Sequence, residues 1–327
     1  MHNRQNALNK WLEEVLGRTD FSLELLAPDA SFRQYYRLRY LDRTRMVMDA
    51  PPDNESLQSF IAMASILQAT GVRAPRIFAS NETLGFLLLD DFGDCLLRDV
   101  LSADMADKWY RLSIDTLVTM QQCAVSSTYS FSCFDKSFMM QELDLFNHWF
   151  LNAYLKINLA DDEKKLIQHT FSWLSDELFN QPNVFIHRDY HSRNIMIINK
   201  EPEPQLGIID FQDAMLGPFT YDLVSLLKDC YIQWPREAVL RWLTYFYEHS
   251  PIAKQWPLPL FIRAFDLCGL QRHLKVLGVF SRLYLRDNKP GYLKDLPLTL
   301  HYVLACLESY DELRPFYQFM QQRIQLP

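Results

Sequence analysis

The sequence predicts an α+β chain of two lobes, a small antiparallel sheet first and a larger, mainly helical part after it. Three observations carry that prediction. Short strand patterns separated by turn-rich segments crowd residues 1–89. Long helical periodicities dominate after residue 93. A second group of short apolar strands, between residues 180 and 225, interrupts those helices and holds a distinctive set of polar residues in its loops.

In MHNRQNALNKWLEEVLG, the residues Leu8, Trp11, Leu12, Val15 and Leu16 recur at helical spacing and Gly17 stops the run. A short amphipathic helix therefore opens the chain, its apolar stripe used for packing. Three strands follow at Ser22 to Leu26, Tyr35 to Tyr40 and Arg45 to Asp49, divided by the turn-rich APDAS and LDRT. Ser56 to Ala69 returns to helical spacing through Leu57, Phe60, Ile61, Ala64 and Leu67, and Thr70-Gly71 ends it. APRIFAS and the apolar GFLLL then supply further strands. At Asp90-Asp91-Phe92-Gly93 the apolar run breaks, which sets an N-terminal lobe at 1–89, a hinge at 90–93 and a C-terminal lobe at 94–327. Helical patterns reach Leu178, apolar strands occupy Asn183 to Ile186, Asn194 to Ile198 and Leu206 to Ile209, and EPEPQ at 201–205 turns between the last two. From Tyr221 onward the pattern is helical again.

A chain of 327 residues, 49% hydrophobic and 22% charged, has the composition of an ordinary folded protein with a sizeable core. Its net charge of -7 argues against a general nucleic-acid binder, so an anionic ligand must meet a local basic cluster. The cysteines Cys95, Cys123, Cys133, Cys230, Cys268 and Cys306 are scattered without a C-x-x-C pair, which predicts reduced and mostly buried thiols. The N-terminus lacks the apolar core of a signal peptide and no stretch approaches about 18 apolar residues. A cytoplasmic location follows, with no membrane, nucleic-acid or obligate protein partner expected.

The chemistry concentrates in VFIHRDYHSRNIMI and LGIIDFQD, whose spacing is H-x-D-x-x-x-x-N and then D. Phosphoryl transfer needs a carboxylate to orient or deprotonate the attacking hydroxyl, and oxygen ligands that hold Mg²⁺ against a triphosphate. Asp189 suits the first role. Asn194 and Asp210 offer the neutral and anionic oxygens that a hard cation accepts while keeping waters and phosphate oxygens. His187 is expected to hold the loop by hydrogen bonds, and Arg188 to pair with a carboxylate of the segment that follows or face solvent. His187 and His191 are also spaced H-x-x-x-H, but they flank a loop between strands, where nothing enforces the common face that a zinc site on a helix requires.

With these residues the chain resembles the aminoglycoside phosphotransferase family of the protein-kinase-like fold, over nearly all of its length. The resemblance implies that Asp189 is the catalytic base, that Asn194 and Asp210 are the Mg²⁺ ligands, and that GFLLLDDFG is the hinge holding the adenine of ATP, through Leu89, Asp90 and Asp91. Asp222, in YDL, looks like the acidic residue that braces the catalytic loop; a carboxylate at a helix N-terminus is the alternative. DASFRQYYRL, VMDAPPDNE and QRHLKVLGVFSRLYLRDNKPGYLKDLP resemble a narrower group, the bacterial kinases that phosphorylate N-acetylmuramate and N-acetylglucosamine at the C1 hydroxyl in peptidoglycan recycling. The implied reaction converts ATP and an amino sugar into the sugar 1-phosphate and ADP, with no covalent enzyme intermediate.

Two departures from the wider kinase pattern affect the nucleotide side. The loop that covers the phosphates should be rich in glycine, yet APDASFRQYYR has none. Small residues such as Ser31 are expected to substitute, and Arg33 or Arg37 to add positive charge. The third strand should end in a phosphate-binding lysine, but Asp49 stands at or beside that place. Near a triphosphate a carboxylate is unfavourable, so Asp49 is expected to clamp Arg33, Arg37 or the substrate.

For the acceptor, Asp213 lies close to the motif, and Arg272, Lys275, Arg282 and Arg286 fall on one helical face. A lactyl carboxylate needs a cation, which selects Arg272 and Lys275, against the alternative of a solvated outer face. Trp234, Trp242 and Trp256 are expected to pack in the core rather than stack on a sugar. Alternatives to an amino-sugar kinase are a phosphotransferase for another small hydroxylated acceptor, such as an aminoglycoside, and a non-catalytic kinase-like binding module. The basic stripe argues against the first, since a polycation would call for carboxylates; the complete Asp189, Asn194 and Asp210 set argues against the second.

Overall fold

The computed structural model describes residues 2–26, 33–52, 57–123 and 129–326. They group into two compact units, one built from residues 1–100 and 193–213 and the other from 101–192 and 214–327.

In the first unit, α1 (His2–Leu16) precedes β1 (Ser22–Leu25), β2 (Gln34–Tyr40), β3 (Arg43–Asp49), α2 (Leu57–Ala69), β4 (Ile77–Asn81) and β5 (Phe86–Leu89). The five strands form an antiparallel sheet in the order β1-β2-β3-β5-β4. One face of the sheet is closed by α1, because Leu8, Trp11 and Leu12 pack on Tyr36, Leu38, Val47, Phe86 and Leu88. Each such aliphatic or aromatic side chain contributes about 1.5–3 kcal/mol when fully buried. Gly17, which ends α1, holds a φ of 64°, a left-handed value that glycine adopts at little cost. A short helix, α3 (Leu97–Val100), closes this segment.

The second unit opens with α4 (Ala106–Met120) and α5 (Lys136–Leu145), whose N-cap Asp135 accepts the N–H of Phe138. Helix α5 runs on into a π-helix, Phe146–Tyr154, followed by α6 (Asp161–Phe179) and the strand β6 (Asn183–Ile186). Then comes a hairpin that belongs to the first unit, β7 (Ile195–Asn199) and β8 (Gln205–Ile208). Met196 bridges to Leu96, Ile197 N–H donates to the Cys95 carbonyl at 2.8 Å, and Ile208 N–H donates to the Arg73 carbonyl at 2.8 Å. Those backbone bonds explain why residues 193–213 group with 1–100, whereas the lobes read from sequence keep the whole of 94–327 together.

The chain continues in the second unit with β9 (Met215–Pro218), antiparallel to β6, and α7 (Tyr221–Leu227), α8 (Arg236–His249), α9 (Leu258–Leu285), α10 (Leu296–Ser309) and α11 (Arg314–Arg323). Helix α9 is buried almost all round. At Gly278 it comes so close to α5 that a Cβ would stand 2.4 Å from the carbonyl oxygen of Leu145. That approach falls where α5 becomes π-helical, and Phe146, Phe150 and Leu151 are buried there. Among the described residues no helix is long and apolar enough to cross a membrane. All six cysteines are free thiols, with Cys133 exposed, Cys95 half-buried and the others buried.

Candidate active site

Strand β6 ends at Ile186, opposite Met215 of β9, and delivers His187 into a loop held at almost every residue. Asp222, fully buried in the first turn of α7, accepts the N–H of His187 at 2.6 Å and of Arg188 at 3.0 Å. Bracing the loop is therefore what this carboxylate does. Burial pushes it up to about 6, against the opposing pull of His187, Arg272 and the two amide donors. The N–H of Asp189 points to Nδ1 of His187 at 3.3 Å, and the Tyr190 hydroxyl donates to the Ser113 carbonyl at 2.8 Å. Ser192 N–H donates to Asp229 at 3.0 Å.

Arg188 adopts a φ of 76°, a left-handed conformation that non-glycine residues seldom take. Its guanidinium reaches Glu142 at 3.1 Å, a carboxylate earlier in the chain rather than in the segment that follows. Asp189 follows with its side chain 47% exposed. Burial alone would raise its carboxyl, but the charge of Arg272, ahead of Lys275, His191 and Arg188, holds it far below the usual carboxylate range. Asp189 is thus ionised throughout the neutral range, a hydrogen-bond acceptor held in place.

The basic stripe read on α9 is not a solvated face. Arg272 is 5% exposed and donates to the Arg188 carbonyl at 2.7 Å and to the Asp189 carboxylate at 3.3 Å. Lys275 pairs with Glu142 at 2.9 Å, and Gln271 donates to the same carboxylate at 3.2 Å. Glu142 thereby joins α5 to α9 and to the loop; nothing in its sequence neighbourhood signals this. Arg286, by contrast, is exposed beside Asp287.

In the first unit, the β7–β8 hairpin brings together the two residues read as metal ligands. Ile195 lies opposite Ile208, and Ile209 N–H donates to the Asn194 carbonyl at 3.1 Å, so Asn194 and Asp210 flank the same end of the hairpin. The Asn194 amide approaches Asp210 at 3.3 Å, and Asp210 takes a φ of 64°. Gln212, which sequence reasoning did not single out, donates to the other Asp210 oxygen at 2.9 Å, while its own Oε1 is buried with no partner among the described residues. Phe211 anchors this turn against Phe60 of α2, with ring centroids 4.8 Å apart. An amide oxygen and a carboxylate form a sparse, hard donor set, suited to Mg²⁺ that retains waters and phosphate oxygens. Among the described residues no group of three or more His, Cys, Asp or Glu is arranged to hold a metal. Asp213 is exposed.

On the nucleotide side, Ser31 lies outside the described residues and Arg33 is half-buried just before β2. Leu89 is buried at the end of β5, and Asp90 N–H donates to the Arg76 carbonyl at 3.0 Å. Arg37, a candidate for phosphate charge, is instead committed to Asp91 at 2.8 Å and Asp94 at 2.8 Å. Asp91 also accepts the Gly93 N–H at 2.9 Å, so its carboxylate braces the chain as it leaves the sheet. Asp49 clamps neither Arg33 nor Arg37 but Arg4 of α1, which donates Nε–H at 2.7 Å and also bonds the Leu84 carbonyl at 2.8 Å. Trp242 is buried and stacked on Tyr110 with centroids 4.2 Å apart, and Trp234 donates to the Tyr110 hydroxyl at 2.8 Å.

Residues 22–254 match the model of the phosphotransferase enzyme family. The chain is 39% identical over 324 residues to the N-acetylmuramate/N-acetylglucosamine kinase of Pseudomonas aeruginosa, covering 95% of this chain and 94% of that one. It is 36% identical over 308 residues to the kinase of the same name from Pseudomonas putida, covering 93% and 88%. Among solved structures, the ADP-bound aminoglycoside phosphotransferase APH(2'')-Ib matches with a TM-score of 0.62 at 15% identity, covering 92% of this chain and 97% of that one, a likeness of fold. The family match spans well over half of the sequence, and this chain belongs to the phosphotransferase enzyme family.

Proposed function

We propose that this phosphotransferase moves the γ-phosphoryl group of ATP to the anomeric C1 hydroxyl of N-acetylmuramate or N-acetylglucosamine, giving the sugar 1-phosphate and ADP. The observation that carries the reading is the state of Asp189: an ionised, half-exposed carboxylate whose loop is fixed at His187, Arg188, Tyr190 and Ser192. The relatives at 39 and 36% identity, named as kinases of those two sugars, support the choice of acceptor.

Asp189 accepts a hydrogen bond from the sugar hydroxyl and so aims the hydroxyl oxygen at the γ-phosphorus. The new bond forms between that oxygen and phosphorus as the bond to the β-phosphate oxygen breaks, its electron pair leaving with ADP. The hydroxyl proton passes to Asp189 and then to solvent. A strongly acidic Asp189 is a poor base at the outset. That suits a loose transition state, in which little bonding to the nucleophile has formed and the proton moves late. Asn194 and Asp210 would hold Mg²⁺, with Gln212 orienting the Asp210 carboxylate. When bound, Mg²⁺ supplies charge neutralisation on the triphosphate. Only four residues of chain, Tyr190 to Arg193, separate the base from Asn194.

The hinge at 90–93 is read as the adenine contact. The Asp91 carboxylate is already engaged by Arg37 and the Asp90 N–H by the Arg76 carbonyl, so the remaining backbone groups of Leu89 to Asp91 are the part offered to adenine. We read the reaction as cytoplasmic, where ATP is supplied, with a small amino sugar as the partner. Offering the enzyme ATP, Mg²⁺ and a panel of N-acetylated sugars, aminoglycosides and simple alcohols tests the assignment. The expected result is ADP formation with the two amino sugars, abolished by Asp189→Asn. Turnover on aminoglycosides alone, or full activity in Asp189→Asn, would overturn it.

A further inference from the structure

We propose that Arg272 is a positioning residue for the transfer step, serving the base and the strained residue before it rather than the carboxylate of the acceptor. The inference rests on the reading of Asp189 as the base.

The left-handed backbone of Arg188 must be held from several sides to persist. Its N–H is taken by Asp222, its guanidinium by Glu142, and its carbonyl by Arg272 at 2.7 Å. The same guanidinium reaches Asp189 at 3.3 Å, so one planar group spans the carbonyl before the base and the base itself. The Tyr221 hydroxyl at 3.4 Å gives it a further contact, and the guanidinium carbon lies 5.4 Å from the Tyr221 ring centroid. At 5% exposure Arg272 is a buried tie. Its helix is fixed in turn, because Gln271 and Lys275 both bind Glu142 and Gly278 abuts the backbone of Leu145.

Lysine cannot reproduce this arrangement. A guanidinium presents its donors as a rigid fork, whereas an ammonium meets the carbonyl or the carboxylate from a single point. Lys275, which sequence reasoning paired with Arg272 as an acceptor contact, sits on the neighbouring carboxylate Glu142 and balances its charge.

A four-way comparison of the wild-type enzyme, Arg272→Gln, Asp189→Asn and the double variant tests the role, with N-acetylglucosamine and N-acetylmuramate as acceptors. Misplacing the base costs roughly 100-fold in kcat, and the loss is expected to be equal on the neutral and the carboxylated sugar, with KM for each little changed. Residues that act as a unit are not additive, so adding Arg272→Gln to Asp189→Asn is expected to lower the residual rate by no more than about threefold. Arg272→Lys guards against a folding defect: it is expected to melt near the wild-type temperature and to regain only part of the lost kcat. Full recovery in Arg272→Lys, additive losses in the double variant, or a rise in KM confined to N-acetylmuramate would overturn the role of Arg272. An inactive wild-type enzyme with either sugar would instead overturn the functional reading itself, and the inference with it.

Discussion

The buried carboxylate of Asp222 accepts the backbone N–H of His187 at 2.6 Å, tying the first turn of α7 to the loop that carries Asp189. With the second bond to Arg188, it satisfies two consecutive amides of a strained turn. Leaving a buried donor unsatisfied costs roughly 1–3 kcal/mol.

Asp222→Asn, which turns an N–H toward one of those amides, is expected to lower kcat by roughly 5- to 150-fold, the same range expressed as a rate. The pH profile separates this brace from Asp189. Because the folded carboxyl sits at about 6, above its unfolded value, its contribution to stability is full below the unfolded value and is lost as pH rises through about 6. Acidification therefore does not unfold the protein through Asp222, yet a protonated carboxyl accepts amides more weakly. The expected profile is a fall in kcat/KM on the acid side of about pH 6 while the melting temperature holds, with a level profile for the residual activity of Asp222→Asn. An acid limb that persists in the variant would contradict the assignment.

Gln212 donates to one Asp210 oxygen, and on the proposed reading of Asp210 as a metal ligand such a partner typically matters by roughly 10- to 100-fold in metal affinity. Gln212→Leu is expected to raise the Mg²⁺ concentration for half-maximal activity by roughly tenfold, and Asp210→Asn to abolish turnover. Chelation of divalent cations should stop the reaction and added Mg²⁺ restore it. Unchanged Mg²⁺ dependence in Gln212→Leu would remove that residue from the site.

The ion pair between Arg4 and Asp49 is one-sided in burial, with the arginine 32% and the aspartate 7% exposed. Removing the arginine strands a buried charge. Arg4→Ala is expected to cost about 2–3 kcal/mol, below the range for a fully buried pair because Arg4 is partly solvated. Pairing Arg4→Met with Asp49→Asn should recover most of it. Urea unfolding measures both. A stable Arg4→Ala enzyme whose KM for ATP rises steeply would instead make this pair part of the nucleotide site.

At Gly278 two effects oppose each other. Alanine gains about 1 kcal/mol of helix propensity, yet overpacking costs typically 1–3 kcal/mol and here would fall on backbone. A Cβ 2.4 Å from both the carbonyl carbon and oxygen of Leu145 cannot be relieved by a rotamer change. Gly278→Ala is expected to lose about 2 kcal/mol of stability, read from its melting curve, and any gain in stability would show that α9 and the π-helix separate freely.

Much of the fold is legible in local pattern. Asn183 to Ile186 reads as a strand because Val184, Phe185 and Ile186 form an apolar run, and the polar spacing from His187 to Asp210 is legible as a motif because phosphoryl transfer calls for those residue types. Strand β9 escapes notice because MLGP carries a glycine and a proline, turn signals that its pairing with β6 overrides. The partners of charged residues are the least legible. Arg4 finds Asp49 across 45 residues, and Glu142 finds Lys275 through the packing of α5 on α9. Arg272 and Lys275 look like a polar helix face for the same reason: the carboxylates that let them be buried lie on other elements, where helical periodicity gives no sign of them.

The identity of the phosphorylated hydroxyl tests the account most directly. With N-acetylglucosamine, ATP and Mg²⁺, phosphorus and proton NMR of the product mixture are expected to show a phosphate coupled to the anomeric proton, formed in step with ADP and lost in Asp189→Asn. A phosphate on any other hydroxyl, or ADP released without a sugar phosphate, would contradict it.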